Sequence, residues 1–279
     1  MKKSLFISFI IFFTPQLYTQ SVFIIIHGTW GADSSWYTSQ GDFFEALENT
    51  VKNRNSSVVS FRWSGGCGHA SRVKAAEDLA KLIKTYNSDT TIYLIAHSHG
   101  GNVATLACQL LAQDIAHNRY RIRGLFALGT PVMDNYLPNM DVIYYVYNLF
   151  SFEDLIQTVL GISLREYPQH RRITNMRVFI DGKEPDHSNL HHPLIGTWIP
   201  YLHYYYKHFL KDNGIMHTIG KPSIVYLTND TIPKFILDTQ RIELLDRDRR
   251  LSIMMINALR KRHLRNSLET ESKIPLTNR

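Results

Sequence analysis

The sequence predicts an α/β protein with a mostly parallel central sheet flanked by helices. Short β-branched and apolar runs alternate with longer segments of helical spacing, the pattern of strands joined by crossover helices. Several runs, such as residues 22–26, are apolar at every position, as expected of strands buried on both faces. The runs end in glycine, serine or threonine, which punctuate strand ends.

The elements follow in chain order. Residues 22–26 form the first strand and run into His27, Gly28, Thr29, Trp30 and Gly31. Residues 42–52 carry Phe43, Phe44, Leu47 and Val51 on one helical side. Residues 58–63 read as a second strand, stopped by Ser64, Gly65 and Gly66. Residues 72–86 read as a helix with Val73, Ala76, Leu79, Ala80 and Ile83 along one stripe. The third strand spans residues 91–96, and a helix over residues 101–117 leaves it. Residues 122–128 form a fourth strand ending at Gly129, Thr130 and Pro131. Residues 141–147 give a fifth, and residues 176–180 a sixth and last strand of the α/β domain. Residues 193–210 are dense in aromatics, among them Trp198, Tyr201, Tyr204, Tyr205, Tyr206 and Phe209. They read as a helix packed on the sheet, the other reading being an aromatic face toward lipid. Beyond them lie a strand at residues 223–228, a helix at residues 245–264 and a polar tail. The expected organisation is a signal peptide at 1–20, the α/β domain at 21–210 and a partly helical C-terminal extension at 211–279.

Composition narrows the function. The chain has 279 residues, 44% hydrophobic and 20% charged, which excludes disorder of the whole chain. Lys2 and Lys3 precede the apolar run of residues 5–13, a charged start and short apolar core that predict export, periplasmic or secreted. The run is shorter than the ~20 residues a spanning helix needs, although an uncleaved segment would act as an anchor. The formal net charge of +7 favours peripheral contact with an anionic membrane. Basic residues at the C-terminal end alternate with Asp246 and Asp248, the mark of a solvated face. With no helix-turn-helix or RNA-binding pattern, nucleic acid is not an expected partner. Cys67 and Cys108 make no disulfide framework and no metal-ligand spacing.

The chemistry concentrates at residues 91–102. A strand-like run ends in Ala96, His97, Ser98, His99, Gly100, Gly101 and Asn102, with a helix-forming stretch after it. That is the Gly-x-Ser-x-Gly nucleophile elbow with alanine in first place; the plain alternative is a serine cap on an ordinary helix. A serine hydroxyl needs a base, and the base an orienting acid. On this architecture they follow in the order acid, then histidine. Asp154, in the segment after the fifth strand, is the expected acid, with Glu153 and Asp134 as competitors. His187 is the expected base, ahead of His191 and His192 in the same loop. His187 and His191 have the i, i+4 spacing of a helical metal site, but without a carboxylate motif no metal is expected. The oxyanion donors expected are the amides of His99 and of Thr29 or Trp30.

These residues carry a resemblance. His27 to Gly31, Ala96 to Asn102, Gly129 to Pro131, the Asp154 segment and the His187 loop resemble an α/β-hydrolase of the lipase/esterase type, as does Phe61 to Gly65. The resemblance runs from about Val22 to Tyr206. It implies the α/β-hydrolase fold, truncated at the N-terminal strands, a Ser98–His187–Asp154 triad and hydrolysis of lipid or acyl esters without a cofactor. Two other readings share these residues: a non-catalytic binding protein on a hydrolase scaffold, and an amidase, thioesterase or acyltransferase.

Overall fold

The structure, a computed structural model, describes residues 20–113, 122–157, 163–215, 219–229 and 231–238. The expected signal peptide and the helix over residues 245–264 lie outside the described residues. The elements run β1 (Ser21–Ile26), α1 (Asp42–Val51), β2 (Ser56–Phe61), α2 (His69–Thr85), β3 (Thr91–His97), α3 (His99–Gln113), β4 (Ile122–Leu128), β5 (Ile143–Phe150), β6 (Ile173–Ile180), α4 (Pro193–Asp212), β7 (Ser223–Leu227) and β8 (Lys234–Leu237).

The strands form one eight-stranded sheet in the order β2-β1-β3-β4-β5-β6-β7-β8. All neighbours are parallel except β7 and β8. Because β1 has both faces covered, its alternate residues enter different cores. Val22, Ile24 and Ile26 pack with α2 residues Ala76 and Leu79 and α3 residues Val103 and Ala107. Phe23 and Ile25 pack with α1 residues Phe43 and Leu47 and α4 residues Ile195, Ile199 and Tyr206. The aromatic segment after residue 193 is therefore largely a core helix. Its Tyr206 is fully buried and donates to Lys221 O, while Tyr204 stays exposed. His192 and Pro193 start it, the imidazole Nδ1 accepting from the Leu194 amide at 3.2 Å.

Topology locates the cleft. From β1 the chain crosses one way to β2 and then the other way, past β1, to β3. Helices leave in opposite directions at such a switch point, so a crevice opens at the carboxyl ends of the two strands. His27 to Gly31 and Ser98 lie at those ends.

Three expectations need correction. The sheet does not end with residues 176–180: β7 pairs with β6 and β8 with β7, so it runs past residue 210, where the domain was expected to stop. β8 is a four-residue edge strand just after Pro233, too short for periodicity to reveal. Finally, β5 extends through Asn148 to Phe150 and β6 begins at Ile173. Polar residues hid both extensions, and partners make them tolerable in a buried strand. Asn148 Nδ2 donates to Arg165 O at 2.8 Å and Asn175 Oδ1 at 2.9 Å, while Thr174 Oγ1 donates to Ile219 O.

Candidate active site

Ser98 sits between β3 and α3 in the left-handed region, with φ of 54°. A non-glycine residue there costs about 1–3 kcal/mol and persists only where its surroundings enforce it. Here the Ser98 amide donates to Leu128 O at 2.8 Å and Ser98 O accepts from Gly101 N–H at 3.0 Å. Gly100 is needed for closeness: a Cβ there would lie 2.5 Å from His27 O and 2.7 Å from Ile26 O. The end of β1 thus packs directly on the first turn of α3. Gly28 is equally close, since a Cβ on it would come within 2.6 Å of Ser98 Cβ.

The loop after β1 is clamped by His27, which is fully buried. Its Nδ1–H donates to Gly28 O at 2.8 Å, and its Nε2 accepts the Trp63 amide at 3.1 Å. Trp63 Nε1–H in turn donates to His27 O at 2.8 Å. Burial holds the His27 pKa below its usual value, which suits an acceptor nitrogen. Of the oxyanion candidates, the Trp30 amide is already committed: it donates to Gly65 O at 2.9 Å, with Trp30 φ at 57° and its side chain 79% exposed. Trp30 is therefore corrected from expected donor to turn residue at the cleft rim. The amides of Thr29 and His99 make no hydrogen bond among the described residues. That of His99 is an unsatisfied donor of the first helical turn.

Asp154 is fully buried after β5. Its Oδ1 accepts the Gln157 amide at 3.0 Å, and its Oδ2 meets His187 Nδ1 at 2.7 Å. Gln157 Nε2 donates to Thr130 O at 2.6 Å, tying the acid's turn to the end of β4. Gly129 lies beneath the pair with φ of 57°; a Cβ on it would lie 2.8 Å from Asp154 Oδ2 and 3.3 Å from His187 Nδ1. The competitors are occupied or turned away. Glu153 and Asp134 are exposed. His191 stacks on Trp36, ring centroids 4.4 Å apart, and burial pushes its pKa down to about 4. His192 caps α4. Of His187 and His191, the spacing considered for a metal, the first pairs with Asp154 and the second stacks on Trp36, while both rings also contact His97; no metal-binding group of three appears among the described residues.

His97 has a role the sequence did not disclose. It is buried beside His187, and its Nε2–H donates to the His187 carbonyl at 2.9 Å. Burial first, and then the neighbouring imidazoles of His187 and His191, keep its pKa well below the usual value. The residue before the serine thus fixes the backbone of the expected base. Ser98 Oγ itself makes no hydrogen bond among the described residues. The His187 and His97 rings are 4.6 Å apart, centroid to centroid, beside the elbow.

A strained serine at a switch point, two open amides near it and a buried His–Asp pair make up the candidate active site. A sequence model of the alpha/beta hydrolase family matches residues 23–249, and the chain belongs to that family. Among curated proteins none matches the sequence. Solved structures similar to the chain include a cutinase-like protein from Cryptococcus sp. (19% identity, 40% of this chain and 54% of that one, TM-score 0.32). Others are a lipase-esterase related protein from Clostridium acetobutylicum ATCC 824 (16%, 43% and 46%, 0.28) and the metagenomic carboxyl esterase MGS0156 (11%, 49% and 52%, 0.35). The chain spans about half the length of these three structures.

Proposed function

We propose that the chain is a serine hydrolase of carboxylic esters, with lipid or acyl esters as substrates. The observation that carries this reading is the buried His187–Asp154 hydrogen bond of 2.7 Å beside a serine held in the left-handed region. The acid fixes His187 with Nδ1 protonated, so Nε2 is the acceptor. When substrate seats, the Ser98 Oγ to His187 Nε2 hydrogen bond closes, a bond often long in free enzymes. Ser98 Oγ attacks the acyl carbon as its proton passes to His187 Nε2. The Thr29 and His99 amides take the carbonyl oxygen as it gains charge. Collapse breaks the ester C–O bond, and His187 returns the proton to the leaving alcohol. Water, deprotonated by His187, then attacks the Ser98 acyl ester, releasing the acid and restoring the serine.

Apolar substrates are supported by exposed side chains at the carboxyl end of the sheet: Trp30 at 79%, Leu155 at 63% and Ile156 at 46%. With the charge of +7, they support work at an anionic lipid surface. A fluorophosphonate probe and p-nitrophenyl esters of graded acyl length test the activity. Labelling at Ser98 and turnover lost in Ser98→Ala are expected. Absent labelling with no turnover above that variant would leave a binding protein on a hydrolase scaffold. Vesicle co-sedimentation that weakens with salt tests the surface reading; binding unaffected by salt or lipid charge would exclude it.

A further inference from the structure

The proposed acid and base come from different loops, one after β5 and one after β6, and their 2.7 Å contact requires the loops to keep a fixed separation. We propose that Glu184 is the positioning residue that sets this separation; the proposal rests on the triad reading above.

Glu184 stands three residues before His187, followed by Pro185, whose ring restricts the connection. Its side chain is 10% exposed and reaches across to the acid's loop. Oε2 accepts the Phe152 amide at 2.7 Å and the Ser151 hydroxyl at 3.3 Å. Oε1 pairs with Arg177 of β6, which offsets the buried charge. The same stretch is gripped from elsewhere: Arg165 Nη2 donates to Phe152 O and Asp154 O, both at 3.2 Å. The Arg177 guanidinium lies 4.5 Å from the Phe152 ring centroid. The acid's loop is thus anchored by Arg165 and joined to the base's loop by one carboxylate. With His97 holding the His187 carbonyl, the base is fixed from two directions. An amide donor and a hydroxyl donor converge on one oxygen and a guanidinium meets the other; no shorter or apolar side chain meets all three.

The test compares the full chain with Glu184→Gln and Glu184→Ala. Three quantities are measured: fluorophosphonate labelling rate, ester KM against kcat, and the downfield proton resonance of the His187–Asp154 hydrogen bond. Glu184→Ala is expected to weaken or abolish the resonance and slow labelling by about 10–100-fold, the scale of an ångström misplacement, with KM little changed. Glu184→Gln keeps one acceptor for Phe152 but loses the charge for Arg177, so a resonance retained at a shifted position and a rate lowered by about two- to tenfold are expected. A resonance and rate in Glu184→Ala equal to wild type would overturn the proposal, as would losses that simply track a lowered melting temperature. If Glu184→Ala does not fold, Glu184→Gln decides: a rate and chemical shift identical to wild type overturn it. Should the wild-type chain not label at all, the esterase reading fails, and the resonance alone still decides whether Glu184 holds the pair.

Discussion

Replacing Gly129 with alanine probes the site with a single methyl group. The residue lies under the Asp154–His187 pair at φ of 57°, and the new Cβ would sit 2.8 Å from Asp154 Oδ2 and 2.7 Å from Leu190 Cδ1. Two costs add. Placing a Cβ in the left-handed region costs about 1 kcal/mol relative to glycine. Relieving the contacts adds roughly 1–3 kcal/mol of overpacking. Because Asp154 is buried and tied to Gln157, it relieves the contact by moving away from His187. A shift of an ångström at a catalytic pair costs about 10²-fold in rate. Gly214 separates the two costs: its φ is 72° and nothing lies within 4 Å of the Cβ position. Gly214→Ala should therefore melt about 2–4 °C lower and label with fluorophosphonate at the wild-type rate. Gly129→Ala should melt lower still and label about a hundredfold more slowly. Labelling of folded Gly129→Ala at the wild-type rate would refute the reasoning, because the pair would then tolerate displacement.

Asp154→Asn keeps the shape but favours the wrong imidazole tautomer, and should lower the labelling rate by about 10³–10⁴-fold with modest loss of stability; a loss under tenfold would remove Asp154 from the proposed triad. Burial, first among its causes, depresses the pKa values of His99, His191 and His203 to about 4. The unfolded chain therefore takes up protons before the folded one as pH falls, so stability is greatest above about 6.5 and declines from there downward. Unfolding free energies from denaturant titrations between pH 7 and 5 should fall by up to about 1.4 kcal/mol per pH unit per histidine, less because all three are only half-buried; a flat profile would contradict it. Cys67 is exposed, whereas Cys108 is buried and its pKa is pushed up to about 12. A chromogenic disulfide reagent should titrate one thiol in the native chain and the second only in denaturant.

Much of the candidate site was legible because its signals are local. The elbow needs small residues at fixed offsets from Ser98, and the strand before it needs an apolar run; both lie within one short stretch. Asp154 and His187 were reachable by order along the chain, since each follows a strand at the carboxyl edge. The sequence could not separate Thr29 from Trp30, because the choice depends on Gly65, which accepts the Trp30 amide from another loop. Nor could it show that His97 reaches the loop of His187 or that Glu184 reaches the loop of Asp154, for those contacts span 90 and 32 or 33 residues of chain.

By itself the sequence determined the alternation of strands and helices, the serine on its tight turn and the order of the residues after it. These follow from side-chain periodicity and turn sterics, which act over a few neighbouring residues. The tertiary structure decided which histidine meets the acid, which amides stay open, and that the sheet continues through β7 and β8. Each of those outcomes depends on polar groups finding partners across the sheet edge, and burial makes an unpaired group costly enough to fix the arrangement.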